Sequence, residues 1–296
     1  MKFKILIMGL LIGFLSIKKV LSQDTLFLHK KYNKVIKYAI SEIDSITFKK
    51  SNFNNSNFNN DLSSSDSLID IDGNKYSTIK IGNQIWMQEN LRVEKFNDGT
   101  QIFIAKDSAD WVKNNQLNHR NPMMIWGNNL NDSKLSLRFG GNYNAYVIKS
   151  DKNICPLGWR VPSDYDWRIL ETTIVRLNLY NDTALGIPMQ KIAKALSSKE
   201  GWMNINFSYE EFTIGDSTIL NNKSKFNILP AGGINYKGMW YNNGFKTYGN
   251  FETDFWISDF IDFNSTWCIA LWANSSKILR LSIPNASGIN IRCIKD

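Results

Sequence analysis

An α+β fold is what this chain predicts, and three observations predict it. Short apolar runs with strand-like alternation flank Gly82-Asn83, helical spacing begins after Ser163, and brief strand-like runs separated by turn residues return beyond Phe226. Helices in the middle with strands before and after are the α+β pattern, and each element can be justified in turn.

The first residues read as an export signal, 1–22. Lys2 and Lys4 precede an apolar run from Ile5 to Ile17, and Val20-Leu21-Ser22 offers a cleavage site that places the mature start near Gln23. Thirteen apolar residues are too few to cross a bilayer of about 30 Å as a helix, so no transmembrane segment is expected in the mature chain. Residues 23–50 follow as a β-hairpin segment: Thr25-Leu-Phe-Leu-His29 and a second alternating run ending at Phe48 lie on either side of the polar stretch Lys30–Lys34. Residues 51–67, mostly Asn, Ser and Asp with two copies of Ser-Asn-Phe-Asn-Asn, cannot bury enough apolar area to order themselves and read as a linker.

The main domain is expected over 68–296. Asp70-Ile-Asp-Gly73 is a tight turn. It is no EF-hand loop, because that loop needs Gly at its sixth position and Glu at its twelfth, where this chain has Lys75 and Ile81. Tyr76–Ile81 and Gln84–Gln88 form a hairpin across Gly82-Asn83, and Asn97-Asp-Gly-Thr100 is another turn. Ser163 stands as N-cap with Asp166 three residues on, an approximate capping box, and Trp167, Leu170, Ile174, Val175 and Leu177 then define the buried face of a helix. A second short helix fits 189–196, with Met189, Ile192, Ala193 and Leu196 inward. Phe226–Trp240 bends at its glycines. Strands are expected over 253–258, 267–272, 278–282 and 288–294.

Composition narrows the function classes. The formal charge of +8 falls to +4 once the four lysines of residues 1–22 are gone, and with no basic run nothing points to nucleic acid. The 10 Trp, 11 Tyr and 17 Phe are read mainly as core. Three cysteines, Cys155, Cys268 and Cys293, permit three single-bridge choices in an oxidising compartment. None has the spacing of a zinc or dithiol motif, so neither metal nor cofactor is called for. His29 and His119 stand outside any catalytic motif, and the adjacent carboxylates Glu210 and Glu211 point apart, so no catalytic residue is assigned.

Three phrases carry a resemblance: Asp70-Ile-Asp-Gly-Asn-Lys-Tyr76 with Ile81-Gly-Asn-Gln-Ile-Trp-Met-Gln-Glu-Asn-Leu91, Cys155-Pro-Leu-Gly-Trp-Arg-Val-Pro-Ser-Asp-Tyr-Asp-Trp167, and Ile291-Arg-Cys-Ile-Lys-Asp296. Together they resemble the Fibrobacter succinogenes major paralogous domain, a family of exported bacterial proteins with no agreed activity. The resemblance implies a C-type-lectin-like domain of short antiparallel strands and two helices, preceded by the β-hairpin segment. It also implies a Cys155–Cys293 disulfide, which leaves Cys268 as a buried thiol. The function expected is that of a secreted, non-enzymatic module, in the periplasm, on the outer surface or outside the cell, binding a glycan or a cell-surface protein through loops between Trp202 and Asn285. Trp202, Trp240, Tyr241 and Trp272 are the candidate ligand-binding residues. A structural cell-envelope component without a small ligand is the alternative. An enzyme distantly similar to formylglycine-generating enzymes is the third reading.

Overall fold

The structure, a computed structural model, describes residues 25–30, 34–39, 62–116, 120–127, 137–179, 191–205, 213–241 and 251–296. The expected export signal, Met189, His119 and the Glu210–Glu211 pair lie outside these residues. The chain divides into two units, 1–54 and 55–296. In the first, β1 (Thr25–Lys30) pairs antiparallel with β2 (Lys34–Ala39), so the described part of the leader segment is a hairpin.

The second unit is α+β. Its largest sheet has five strands in the order β3 (Leu62–Ile69), β4 (Lys75–Ile81), β5 (Gln84–Met87), β15 (Ile294–Lys295), β9 (Trp159–Arg160), all pairs antiparallel. β3 starts at Leu62, so strand structure reaches into the second half of the stretch read as linker. Gly82, at φ +60°, makes the tight turn that sets Ile81 opposite Gln84, a backbone region glycine enters without steric cost. The last described strand, β15, slots between β5 and β9, so the C-terminus is hydrogen-bonded to the second strand of the β4–β5 hairpin.

Beside it lie a three-stranded meander, β12 (Glu252–Phe260), β13 (Ser265–Trp272) and β14 (Leu279–Pro284), and the two-stranded pair β10 (Gly233–Ile234) and β11 (Trp240–Tyr241). A third small sheet joins β6 (Phe103–Ala105), β7 (Met123–Ile125) and β8 (Asn142–Tyr143), and its β6–β7 pair is parallel. A parallel pair needs a crossover, and helix α1 (Ser108–Gln116) stands between those strands in sequence.

The expectation of two helices and only antiparallel strands is therefore corrected. The described residues hold five α-helical segments: α1, α2 (residues 137–139), α3 (Ala145–Lys149), α4 (Asp164–Arg176) and α5 (Ile192–Leu196), with a 3-10 turn at Thr218–Leu220. The extra helices are short, and in α1 only Trp111, Val112 and one Ala interrupt a polar sequence, so no amphipathic period announces it. The last expected strand is also shorter. Residues 288–290 make single bridges to Ile234, Tyr143 and Phe255, and only β15 is a regular strand.

Helix α4 follows its sequence signals closely. Ser163 accepts from the Asp166 amide while the Asp166 carboxylate accepts from the Ser163 amide, which completes the capping box. Its inward face puts Trp167, Leu170 and Ile174 at zero exposure. Trp167 meets Trp86, Phe226 and Phe255 at ring distances of 5.2, 5.9 and 5.9 Å. Arg280 of β14 ties this helix to the meander through Asp164 and Glu171. A second apolar cluster, around Tyr76, Met87, Leu91, Tyr143, Trp256 and Ile291, packs against the other face of β12 and β13.

Cys155 and Cys293 form a disulfide, with Cα atoms 6.0 Å apart across 138 residues of sequence. Cys268 is a free, buried thiol.

Candidate functional site

Strand alternation divides β12 between two clusters. Phe255 and Ile257 face the cluster under α4, whereas Trp256 and its cross-strand partner Cys268 face the other. Glu252 and Asp254 share the Trp256 side, opposite Trp272 and Ala270 of β13. Two carboxyls, two residues apart, thus point off one strand face near its end. The β10–β11 pair covers them: Gly232 bridges Thr253 and donates its N–H to the Glu252 carbonyl at 3.0 Å, and Gly233 pairs with Tyr241. A side chain at Gly233 would run into the Gly288 carbonyl and the Tyr241 ring, so glycine is what allows this close approach.

Burial dominates the electrostatics here. Asp254 is 5% exposed, and burial, with the neighbouring Glu252 charge, holds its carboxyl well above the usual carboxylate range. Burial likewise raises Glu252. The Tyr241 phenol is pushed up to about 12 by burial and by Asp254, against a smaller opposing effect of Ser287. Burial and then Asp254 raise the Cys268 thiol, so Cys268 is held protonated and unreactive. No cation pairs with this acid group among the described ion pairs. Among the described residues, Asp254 Oδ1 and the Trp272 indole N–H also lack hydrogen-bond partners. A buried acceptor and a buried donor thus lie unpaired at one strand end, where each costs the fold its lost solvation.

The four aromatic candidates separate. Tyr241 and Trp272 flank the acid pair, both half-buried, and the Trp272 ring lies 6.5 Å from that of Phe251. Trp240, on the opposite side of β11, packs near Trp111 and Val112 and donates its indole N–H to Ser108 Oγ at 3.0 Å. Trp202 is 5% exposed, lies in the cluster under α4 and donates to the Ile228 carbonyl at 3.1 Å, so it is core and not a binding surface. No sequence motif singles out Glu252 and Asp254. The available signal was two acids at alternate positions beside the aromatic run Phe255-Trp256, where a buried strand ordinarily carries apolar groups.

A second buried polar group proves structural. Arg292 is 1% exposed and lies between Phe226 and Phe255, 4.9 and 5.4 Å from their ring centres. Its Nη1 donates to the Phe226 carbonyl at 2.8 Å and its Nη2 to Asn90 Oδ1 at 2.9 Å, while Asn90 Nδ2 donates to the Phe139 carbonyl. Burial pulls the guanidinium down to about 9. The closing Arg-Cys phrase thus fastens the C-terminus from two sides, by these hydrogen bonds and by the disulfide. Among the described residues no group of three or more His, Cys, Asp or Glu side chains could hold a metal ion, and no helix is long and apolar enough to cross a membrane.

These features define a disulfide-closed α+β domain with an acid pair and two aromatic rings at one strand end. Residues 79–295 match the Fibrobacter succinogenes major domain, and the chain belongs to that family. No curated protein and no solved structure matches it. The expected C-type-lectin-like domain with two helices is corrected by the five helical segments of the fold.

Proposed function

We propose that this protein is an exported, non-enzymatic interaction module that binds glycans at the β12–β13 strand end. The reading rests on one observation: Tyr241 and Trp272 flank two carboxyls, Glu252 and Asp254, and the buried Asp254 Oδ1 and Trp272 N–H have no hydrogen-bond partner. A sugar presents apolar C–H faces and many hydroxyls. The rings take the faces, and the unpaired acceptor and donor take hydroxyls once the strand end parts to admit them. Burial disfavours the charged form of both acids, so the site suits neutral sugars. Binding of a neutral ligand requires no ion pair and no metal.

Screening the exported chain on an array of plant, host and bacterial glycans tests this. Binding is expected, and Trp272→Ala or Asp254→Ala should weaken it roughly tenfold or more, the scale of one lost hydrogen bond or ring contact in a closed site. Silence across the array would instead favour a structural envelope role, and turnover of a bound glycan would overturn the non-enzymatic part.

A further inference from the structure

We propose that the tip of the β12–β13 hairpin docks on an anionic lipid surface. The turn carries three apolar side chains outward: Phe260, Ile261 and Phe263 are 48, 39 and 65% exposed. Isolated exposed apolar residues need no explanation, but three within four positions at a convex tip form a patch.

Two cations converge on it from separate parts of the chain. Lys149, at the end of α3, sets its Nζ 4.9 Å from the Phe260 ring centre and donates to the Asp262 carbonyl at 3.1 Å. The Arg120 guanidinium lies 3.1 Å from the ring centre of Phe263. The acid within the tip is engaged by its own turn, since Asp262 Oδ1 accepts from the Asn264 and Ser265 amides and from Ser265 Oγ at 2.7 to 2.9 Å. Asn285 braces the turn from β14's end, its Nδ2 donating to the Phe263 carbonyl at 2.9 Å and its amide to that of Asn264 at 2.8 Å. The apolar groups are therefore presented outward by a held turn, with little ordering left to do on binding.

Size and charge select the occupant. A stable protein interface buries at least about 1,200 Å² in total, which a tip of three side chains does not supply alone. A tip with apolar ends and basic flanks matches the layering of a bilayer surface instead. The rings enter about 5–10 Å to the acyl boundary, and the cations stay at the phosphates.

The test is sedimentation of the full chain with vesicles of phosphatidylglycerol and phosphatidylcholine, set against phosphatidylcholine alone. Pelleting with the anionic vesicles is expected, reduced by added salt and by Arg120→Gln, and roughly tenfold weaker for Phe263→Ser. A Phe263→Trp variant should shift its emission to the blue when anionic vesicles are added. No pelleting with anionic vesicles, equal pelleting with the neutral ones, or Phe263→Ser binding as well as the native chain would each overturn the proposal. Should Phe263→Ser fail to fold, an unshifted Phe263→Trp emission overturns it alone.

Discussion

Asp254 shows how one side chain can set the pH behaviour of a domain. An acid whose carboxyl is raised on folding holds its proton more tightly in the native chain than in the unfolded one. Between the unfolded value, 3.8, and the raised native one, the native state therefore binds more protons, and stability falls as pH rises through that window. Glu252, raised from 4.5, adds in the same direction. Asp254→Asn keeps the shape and removes the ionisation. Its melting temperature at pH 7 should exceed that of the native chain, and the gap should close as pH is lowered toward 4, which thermal scans across that range would read. A variant less stable than the native chain at every pH would mean that the carboxylate is ionised and satisfied in the fold. Buried acids of this kind are poorly legible in sequence, because their effect depends on what covers the strand, here Tyr241 on β11, thirteen positions earlier in the chain.

Among the elements, α4 is the one that the sequence specifies best, since its cap, its charges and its apolar spacing all point to the same boundaries. The packing it directs centres on Trp167, which touches Trp86, Phe226 and Phe255 at zero exposure. Trp167→Ala should leave a cavity and cost roughly 3–5 kcal/mol. Chemical denaturation would measure this, and an unchanged midpoint would mean that the ring is not core. The Gly82-Asn83 hairpin was equally legible, because a two-residue turn with glycine at positive φ is a local event. Helices α1 and α3 were not, because a nine-residue polar helix and a five-residue one owe their form to tertiary contacts: Trp111 packs with Ala105 of β6 and with Met123 and Ile125 of β7, and Ala145 and Val147 pack under the meander. The same reasoning explains Trp202. A tryptophan beside glycine in a loop-like stretch looks exposed in sequence, and only the fold reveals that it turns inward to the Ile228 carbonyl.

At the scale of the whole molecule, closure depends on the last few residues. β15 fills the gap between β5 and β9, Arg292 hydrogen-bonds to Asn90 and Phe226, and Cys293 bonds to Cys155, so three kinds of interaction act on one hexapeptide. The disulfide joins residues 138 apart, and cross-linking so long a loop removes much of the unfolded chain's freedom, worth at most about 5 kcal/mol in the chain-entropy picture. A Cys155→Ala/Cys293→Ala double variant removes the cross-link without leaving an unpaired thiol at either position. Its melting temperature should fall by about 10–20 °C at constant pH. The arginine and the strand still hold the C-terminus in place, so the variant should fold and its β12–β13 strand end should keep its glycan preference where one is found. Loss of the fold altogether would show that the hydrogen bonds of Arg292 form only once the covalent link has closed the chain, whereas an unchanged melting temperature would mean that the strand and the arginine close it without help.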